Sequence, residues 1–296
     1  MSMSALKPVD AIVPQPAWRR IDLAGLQGTV MILGDTDTGK STLARYLYLE
    51  LCRLGRRVAY LDGDVGQSSL GLPATLTIAL GQDGSPTFPP DGPRAVFFVG
   101  SVSPRGHMLP VVVGAHKLQD WAVRQGAQVV VMDTSGMVDA AVGGGALKQW
   151  KIELLQPTTL IALARGAELE HILLPLRRRP SLRLYEWPVA AAVGEKSRQA
   201  RIAHRQACFR RYFADASSHD LSLEKLPVIG LDGALRGRLL ALQDEAGFAL
   251  ALAVIENLDA RRRTLTVRTP FPAVATAASL RVGDLWLETA SGRQLA

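Results

Sequence analysis

The segment after the first apolar run constrains this chain more than any other part of the sequence. Thr29 to Leu33 reads as a buried strand, Ser41 to Leu54 reads as the helix after it, and Gly55 closes the helix. Between strand and helix the residues follow G-x-x-x-x-G-K-[ST], which predicts a loop that holds the phosphates of a nucleotide. The residues predicted to do so are Gly34, Asp35, Thr36, Asp37, Thr38, Gly39, Lys40, Ser41 and Thr42.

The charge of a triphosphate explains this pattern. A loop around it must turn tightly and point its N–H groups inward, which glycines allow, and the helix N-terminus adds partial positive charge. Lys40 is expected to reach the β and γ phosphates, and Ser41 is expected to bind Mg²⁺. The predicted cofactors are therefore ATP, or another NTP, and Mg²⁺.

Apolar runs and helical patterns alternate along the first two thirds of the chain. Further runs bounded by turn residues occur at 58–61, 95–99, 128–132 and 158–163, and helical patterns lie at 109–124, broken near Gly114, and at 146–155. Such alternation predicts the α/β fold of a P-loop NTPase, with a mostly parallel sheet flanked by helices. Ligands bind such sheets at the carboxyl ends of the strands.

The pattern changes after about residue 216. Apolar runs at 238–243, 248–255, 264–268 and 285–288, joined by turns, predict a small β-rich C-terminal domain. The predicted organisation is a lead-in segment at 1–27, a P-loop domain at 28–216 and the C-terminal domain at 217–296.

Carboxylates follow two of the predicted strands. Asp62-Gly-Asp64-Val-Gly66-Gln67 comes after the second strand, and Asp133-Thr-Ser-Gly136 comes after a later one. At the end of a strand near the phosphate loop, a carboxylate can hold the water shell of a metal or accept a proton. Taken singly, either motif could be a solvated turn.

Positive charge is concentrated in one segment. Between Arg177 and Arg211 there are nine arginines and one lysine against two glutamates, an excess larger than the net charge of +7 of the whole chain. Arg198, Arg201 and Arg205 are spaced to share one helix face, and the planar guanidinium group suits phosphate oxygens. The alternative is a solvated basic helix.

Composition excludes other classes of protein. Hydrophobic residues make up 48% and charged residues 21%, as in ordinary folded domains. No apolar stretch approaches the roughly 18 residues that a membrane span needs, so no membrane partner is expected. Cys52 and Cys208 lie far apart without metal-ligand spacing, which argues against structural zinc and makes a cytoplasmic location the expectation.

Taken together, the motifs resemble those of one family. Gly34 to Thr42, Asp62-x-Asp64-x-Gly66-Gln67, Asp133-Thr-Ser-Gly136 and Arg201-x-x-x-Arg205 are similar to the motifs of the Clp/Grc-type polynucleotide 5′-hydroxyl kinases, over about residues 28–213. The resemblance implies transfer of the γ-phosphate of an NTP to the 5′-hydroxyl of RNA or DNA that is single-stranded or has an exposed end.

The resemblance also implies roles for individual residues. We call residues 134–136 the clasp, which would grip the phosphate beside the terminal nucleotide, and residues 195–213 the lid, whose arginines would neutralise the transferring phosphoryl group. The implied catalytic residues are Lys40, Asp62, Asp64, Arg201 and Arg205, with either aspartate activating the hydroxyl. The implied metal ligands are Ser41 and Asp64, and the implied nucleic-acid-binding residues are Gln67, Thr134, Ser135, Gly136 and Arg198.

The sequence departs from the family at three points. Met137 stands where the family usually has a tryptophan that stacks on a base, and Asp133 stands where it commonly has asparagine. The first change weakens the expected base stacking or moves it to another aromatic residue, and the second puts a negative charge near the phosphates. The large N-terminal domain of eukaryotic members is not expected, because about 27 residues precede the first strand.

Two other functions remain open from the sequence. Asp133-x-x-Gly136 could sense the γ-phosphate in a regulatory NTPase, although no N-K-x-D motif for guanine follows and Gly194-Glu-Lys-Ser197 does not fit it. A non-catalytic nucleotide-binding adaptor of the same fold is the second alternative, against which Lys40, Ser41 and the paired carboxylates argue.

Overall fold

A seven-stranded sheet organises the first part of the chain. The computed structural model describes residues 12–82, 86–191 and 193–295, and among these the first sheet contains β1 (Gly28–Gly34), β2 (Val58–Gly63), β3 (Thr75–Leu80), β4 (Arg94–Phe98), β5 (Val129–Thr134), β6 (Thr159–Ala164) and β7 (Arg183–Pro188). Their order is β4-β3-β2-β5-β1-β6-β7. Only β3 runs against its neighbours, so the sheet is mostly parallel, as predicted.

Helices cover both faces of this sheet, because its strands carry apolar side chains on both sides. Met31 and Leu33 of β1 face one apolar cluster, which includes the helices α2 (Met108–Arg124) and α3 (Gly144–Leu155). Val30 and Ile32 face the other, which includes α1 (Lys40–Arg53). A short helix, α4 (Glu170–Leu173), packs beside α3. The predicted α/β P-loop fold is thereby confirmed.

The predicted break in α2 near Gly114 is wrong. The helix runs through this position, where a Cβ atom would lie 2.3 Å from Cδ1 of Phe97. Gly114 therefore allows α2 to pack closely on β4, and this close approach outweighs the low helix propensity of glycine.

A second sheet follows. It contains β8 (Ser217–Ser222), β9 (Val228–Ile229), β10 (Arg238–Gln243), β11 (Ala249–Asp259), β12 (Thr264–Thr269), β13 (Ser279–Glu288) and β14 (Arg293–Leu295). Its order is β14-β13-β10-β11-β12-β8, with β9 beside β13, and the pairs are antiparallel except β9–β13. This is the β-rich C-terminal part that the sequence predicted.

One helix ties the two sheets together. α5 (Arg198–Tyr212) carries Phe209, which is fully buried in a cluster that also contains Phe98 of β4 and Leu252 of β11. The hydroxyl of Tyr212 accepts a hydrogen bond from N of Leu252 at 2.9 Å and donates one to its carbonyl oxygen at 3.2 Å. The C-terminal half of α5 is therefore anchored to the second sheet.

We expect Phe209→Ala to destabilise the protein by about 3–5 kcal/mol, because it removes a buried ring and leaves a cavity. Urea denaturation checks this, with Phe209→Leu as the variant that keeps most of the volume. A loss below about 1 kcal/mol for the alanine variant, the size of an average substitution, would contradict the anchoring.

The first 11 residues of the lead-in segment that was predicted at 1–27 lie outside the described residues. Beyond them, Trp18, Ile21 and Leu26 are buried in the apolar cluster that contains α1. A 3₁₀ helix, Trp18–Arg20, carries the tryptophan. Among the described residues, no helix combines the length and the apolar character that crossing a membrane requires.

Candidate active site

The phosphate loop leaves the sheet at the carboxyl end of β1 and enters α1 at Lys40. Two of its residues have left-handed backbone, Asp37 at φ 53° and Gly39 at φ 87°. A Cβ atom on Gly34 would lie 2.7 Å from the carbonyl oxygen of Leu163 on β6. The loop is therefore tightly turned and closely packed, as a backbone that wraps an anion must be.

Lys40 is buried within the loop, with 7% of its surface exposed. Its Nζ donates to the carbonyl oxygen of Asp35 at 2.5 Å and to Oγ1 of Thr38 at 3.4 Å. Burial lowers the pKa of Lys40, and the nearby carboxylates, Asp133 and Asp64 first, oppose this shift. The ammonium group thus lies in a setting where a phosphate would stabilise it.

Arg165, which the sequence did not point to, supports the outer side of the loop. It follows β6 and donates to the carbonyl oxygens of Thr36 at 3.2 Å and Asp37 at 2.6 Å. An arginine that binds the carbonyl oxygens of a loop holds them on its own side, which fixes the loop's conformation. No motif signals this role, since it depends on the pairing of β6 with β1.

Both carboxylate oxygens of Asp62 accept hydrogen bonds from residues of the loop that follows it. Its Oδ2 accepts hydrogen bonds from Oγ of Ser68, from N and Oγ of Ser69 and from N of Leu70, and its Oδ1 accepts one from N of Asp64. Burial raises the pKa of Asp62, and the hydrogen bonds from Leu70, Ser69 and Ser68 oppose this shift. The carboxylate therefore organises residues 64–70.

Asp64 is arranged differently, although it lies two residues away. Its Oδ1 accepts hydrogen bonds from N of Gly66 at 2.8 Å and N of Gln67 at 3.0 Å, and Oδ2 accepts none within the described part of the chain. The charge of Asp64 acts on Lys40 and on Arg205 of the lid. Of the two aspartates, Asp64 is thus the one with an oxygen available to a ligand.

Asp133 is the penultimate residue of β5, the strand between β1 and β2, and it pairs with Ile32 on one side and with Asp62 on the other. It is 3% exposed, and its Oδ1 has no hydrogen-bond partner among the described residues. Burial and the charge of Asp62 raise its pKa to about 6, against the opposing effects of Ser41 and Lys40. A buried carboxylate oxygen thus lies beside Ser41.

The clasp packs directly against the phosphate loop. Thr134 and Ser135 are buried, and Oγ1 of Thr134 donates to the carbonyl oxygen of Ile32 at 2.7 Å. A Cβ atom on Gly136 would lie 2.6 Å from N of Thr36. Beside this contact lies a cavity of about 420 Å³, whose lining includes Asp35, Gly136, Met137, Asp139 and His171.

The lid closes over the same edge of the sheet. Nη2 of Arg201 lies 2.6 Å from Oδ2 of Asp37 in the phosphate loop, and N of Lys196 donates to the same oxygen at 2.8 Å. Nε2 of Gln67 donates to the carbonyl oxygen of Arg201 at 3.3 Å. The contact between Arg201 and Asp37 joins residues 164 positions apart in the chain.

The three arginines that were predicted to share a face all lie on α5, but they differ in setting. Arg198 is exposed, Arg201 is bound to Asp37, and Nε of Arg205 is buried without a hydrogen-bond partner among the described residues. Burial lowers the pKa of Arg205, the charge of Asp64 opposes this, and Arg198 and Arg201 add to it. Arg205 therefore has an unused donor beside a carboxylate.

The earlier part of the basic segment has a structural use. Arg177 pairs with Glu170 at 2.7 Å and with Glu186 at 2.6 Å, Arg179 pairs with Glu153, and Arg183 lies 3.8 Å from Asp22. The positive charge at the site is consequently that of the lid and Lys40, rather than that of the whole segment.

Comparison with known proteins identifies the phosphate loop as a nucleotide-binding P-loop. Residues 34–215 match the family model described as the P-loop of mRNA cleavage and polyadenylation factor CLP1. The chain is 32% identical over 216 residues to a polyribonucleotide 5′-hydroxyl kinase of Methanocaldococcus jannaschii, which covers 73% of this chain and 58% of that protein. It is 29% identical over 327 residues to one of Pyrococcus abyssi, with 92% of each chain covered.

A third relative, a polyribonucleotide 5′-hydroxyl kinase of Pyrococcus horikoshii, is 36% identical over 209 residues, which cover 68% of this chain and 54% of that protein. The chain therefore spans little more than half the length of two of these three relatives.

Solved structures agree on the fold. A complex of Clp1p with Pcf11p matches with a TM-score of 0.65 at 14% identity, and covers 88% of this chain and 75% of that one. A second structure of the pair, which concerns ATP loss in a point mutant, matches with a TM-score of 0.67 at 13% identity, and covers 91% and 78%.

Proposed function

We propose that this chain, which belongs to the CLP1 P-loop family, is a polynucleotide kinase that transfers the γ-phosphate of ATP or another NTP to the 5′-hydroxyl end of a nucleic acid. The names of the archaeal relatives favour RNA as the acceptor. The observation that carries the proposal is the 2.6 Å contact between Arg201 and Asp37, because it joins the arginine lid to the phosphate loop.

The residues beside the phosphate loop fit a magnesium ion. Oδ1 of Asp133 is a buried carboxylate oxygen without a partner among the described residues, and the Ser41 side chain lies beside Asp133. Mg²⁺ prefers oxygen ligands and is usually held by one or two carboxylates together with phosphates and waters. When bound, it would neutralise negative charge on the β and γ phosphates. Ser41 and Asp133 would hold it or its waters, while the free oxygen of Asp64, which the sequence also predicted as a metal ligand, is assigned to the acceptor.

On the acceptor side, we assign the proton to Asp64. The 5′-hydroxyl oxygen forms a bond to the γ-phosphorus, the bond from that phosphorus to the β–γ bridging oxygen breaks, and the nucleoside diphosphate leaves. The hydroxyl proton passes to Oδ2 of Asp64, the oxygen that accepts no hydrogen bond within the described residues. Asp62 supports this step by fixing the loop that carries Asp64.

The lid arginines would neutralise negative charge on the transferring phosphoryl group. Phosphoryl transfer depends mainly on position and on neutralisation of the equatorial oxygens, for which guanidinium groups are suited. Arg201, held by Asp37, sets the position of the lid, and Arg205 offers its unused donor to the transferring group. The clasp and Arg198 would bind backbone phosphates of the acceptor strand.

The experiment that tests the proposal is transfer of labelled γ-phosphate from ATP to single- and double-stranded RNA and DNA with free 5′-hydroxyls. We expect label on the acceptor, and none on matched oligonucleotides that already carry a 5′-phosphate. Lys40→Ala protein, purified in parallel, controls for a contaminating kinase. Nucleotide binding without transfer to any acceptor would instead support an adaptor, and hydrolysis stimulated by a protein would support a regulatory NTPase.

A further inference from the structure

Two lysines of α3 are buried, although the mechanism above uses neither. Lys148 and Lys151 lie one turn apart, and both have no exposed surface. An ammonium group loses its hydration when it is buried, so a fully buried lysine is rare unless other groups compensate. The surroundings of the two side chains therefore indicate what each one does.

Lys148 is compensated by the clasp. Its Nζ lies 3.1 Å from Oγ1 of Thr134, 2.5 Å from the carbonyl oxygen of Ser135 and 3.5 Å from Oγ of Ser135. Burial, together with the charges of Lys151 and Lys40, lowers the pKa of Lys148 well below its usual value, but an amine can donate to these oxygens in either protonation state. Since Oγ1 of Thr134 donates in turn to the carbonyl oxygen of Ile32, the contacts link α3, the clasp and the strand that leads into the phosphate loop.

Lys151 has no such contacts. Its Nζ is buried without a hydrogen-bond partner among the described residues. Burial lowers its pKa to about 8, and the charges of Asp64 and Asp133 oppose this shift. Lys151 thus shares the helix, the burial and the nearby carboxylates with Lys148, but not the hydrogen bonds to the clasp.

The contact with Ser135 has a geometric consequence. A peptide group is planar and trans, so the carbonyl of Ser135 and the N–H of Gly136 point in opposite directions. Lys148 holds that carbonyl toward α3, which turns the N–H of Gly136 away from α3. Gly136 lines the cavity beside the phosphate loop, where a backbone donor can bind a phosphate oxygen.

We propose that Lys148 is a positioning residue, which holds the clasp so that the N–H of Gly136 binds a phosphate of the acceptor strand. The choice of substrate rests on the proposed kinase function. The hydrogen bonds between Lys148 and the clasp are present in the free protein. They can therefore be tested separately from the proposed kinase function.

The test compares Lys148→Met with Lys151→Met. Each replaces a buried lysine with an unbranched apolar side chain. Lys151→Met should leave the Tm unchanged or raise it, because Nζ of Lys151 has no hydrogen-bond partner among the described residues. Lys148→Met should lower the Tm, because it leaves buried oxygens of the clasp without their donor. For Lys148→Met we expect the KM for a 5′-hydroxyl RNA oligonucleotide to rise about tenfold or more, because the clasp is misplaced. The KM for ATP should change less than about twofold, since the hydrogen bonds of Lys148 are with the clasp rather than with the phosphate loop. Lys151→Met should change neither KM.

A second measurement does not depend on kinase activity. Amide hydrogen exchange at residues 135–137 of the free protein should be faster in Lys148→Met than in wild type, and unchanged in Lys151→Met. For Lys148→Gln, which keeps two donors without the charge, we expect an exchange rate between those of wild type and Lys148→Met. Lys148→Gln takes the place of Lys148→Met if the methionine variant does not fold.

Equal effects of the two methionine variants on the KM for RNA, or unchanged exchange in Lys148→Met and Lys148→Gln, would overturn the proposal. If wild type phosphorylates no nucleic acid while exchange changes as expected, the kinase assignment fails and the positioning of the clasp stands.

Discussion

Replacing Arg205 with alanine is expected to lower the rate constant of phosphoryl transfer about 10³–10⁵-fold, the range for an arginine that neutralises the transferring group. Its Nε is buried without a partner among the described residues, and Asp64 acts on its charge. Alanine favours the helix, so α5 should persist. Single-turnover transfer of labelled γ-phosphate to a 5′-hydroxyl oligonucleotide measures the effect.

Arg210→Ala is the matched control for this prediction. Arg210 is exposed in the last turn of the same helix, beyond the part that faces the phosphate loop. Its removal should leave the single-turnover rate constant close to that of wild type. Arg205→Lys should recover only part of the lost rate, because an ammonium group lacks the planar fork of guanidinium. An Arg205→Ala protein within about tenfold of wild type would not fit the catalytic role.

The phosphate loop and the lid were predictable because their signals are local. The motif Gly34 to Thr42 carries its strand and helix with it, and the spacing of Arg201 and Arg205 predicts one helix face. Even so, the pairing of Arg201 with Asp37 could not be predicted, since it joins distant parts of the chain. A spacing pattern describes a helix face but does not say what the face contacts.

The role of α3 was missed for a different reason. Lys148 and Lys151 look like the polar face of an amphipathic helix, yet they are buried, while Trp150 is 67% exposed and Leu154 is 42% exposed. A signal was present, because the lysines share the i, i+3, i+4 spacing of the buried Ile152 and Leu155. That spacing places both lysines on the buried face of α3.

The two strands missed in the first sheet, β3 and β7, show another limit. β3 reverses direction after a loop that Asp62 organises through Ser68, Ser69 and Leu70. β7 is an edge strand with exposed and half-buried residues, so it lacks the continuous apolar run that identified its neighbours. β4, the other edge strand, was predicted because it does contain an apolar run.

The same loop decides between the two aspartates, which the sequence left equivalent. We expect Asp64→Asn to lower the single-turnover rate constant about 10²–10⁴-fold, the usual contribution of a positioned general base. Asparagine keeps an oxygen for the hydrogen bonds from Gly66 and Gln67 but cannot take up the hydroxyl proton. The Tm should therefore change little while the rate falls.

For Asp62→Asn we expect the opposite: the Tm should be affected more than the rate of transfer. An amide group at this position would place its own N–H₂ donors opposite groups that now donate to Asp62, among them N of Ser69 and N of Leu70. A buried polar group left without its partner costs about 1–3 kcal/mol, so the main effect should be a lower Tm. Thermal denaturation and single-turnover transfer on both variants measure the difference. If Asp62→Asn abolished transfer at an unchanged Tm while Asp64→Asn remained active, the base would be Asp62, and the loop would have to open for it to reach the hydroxyl.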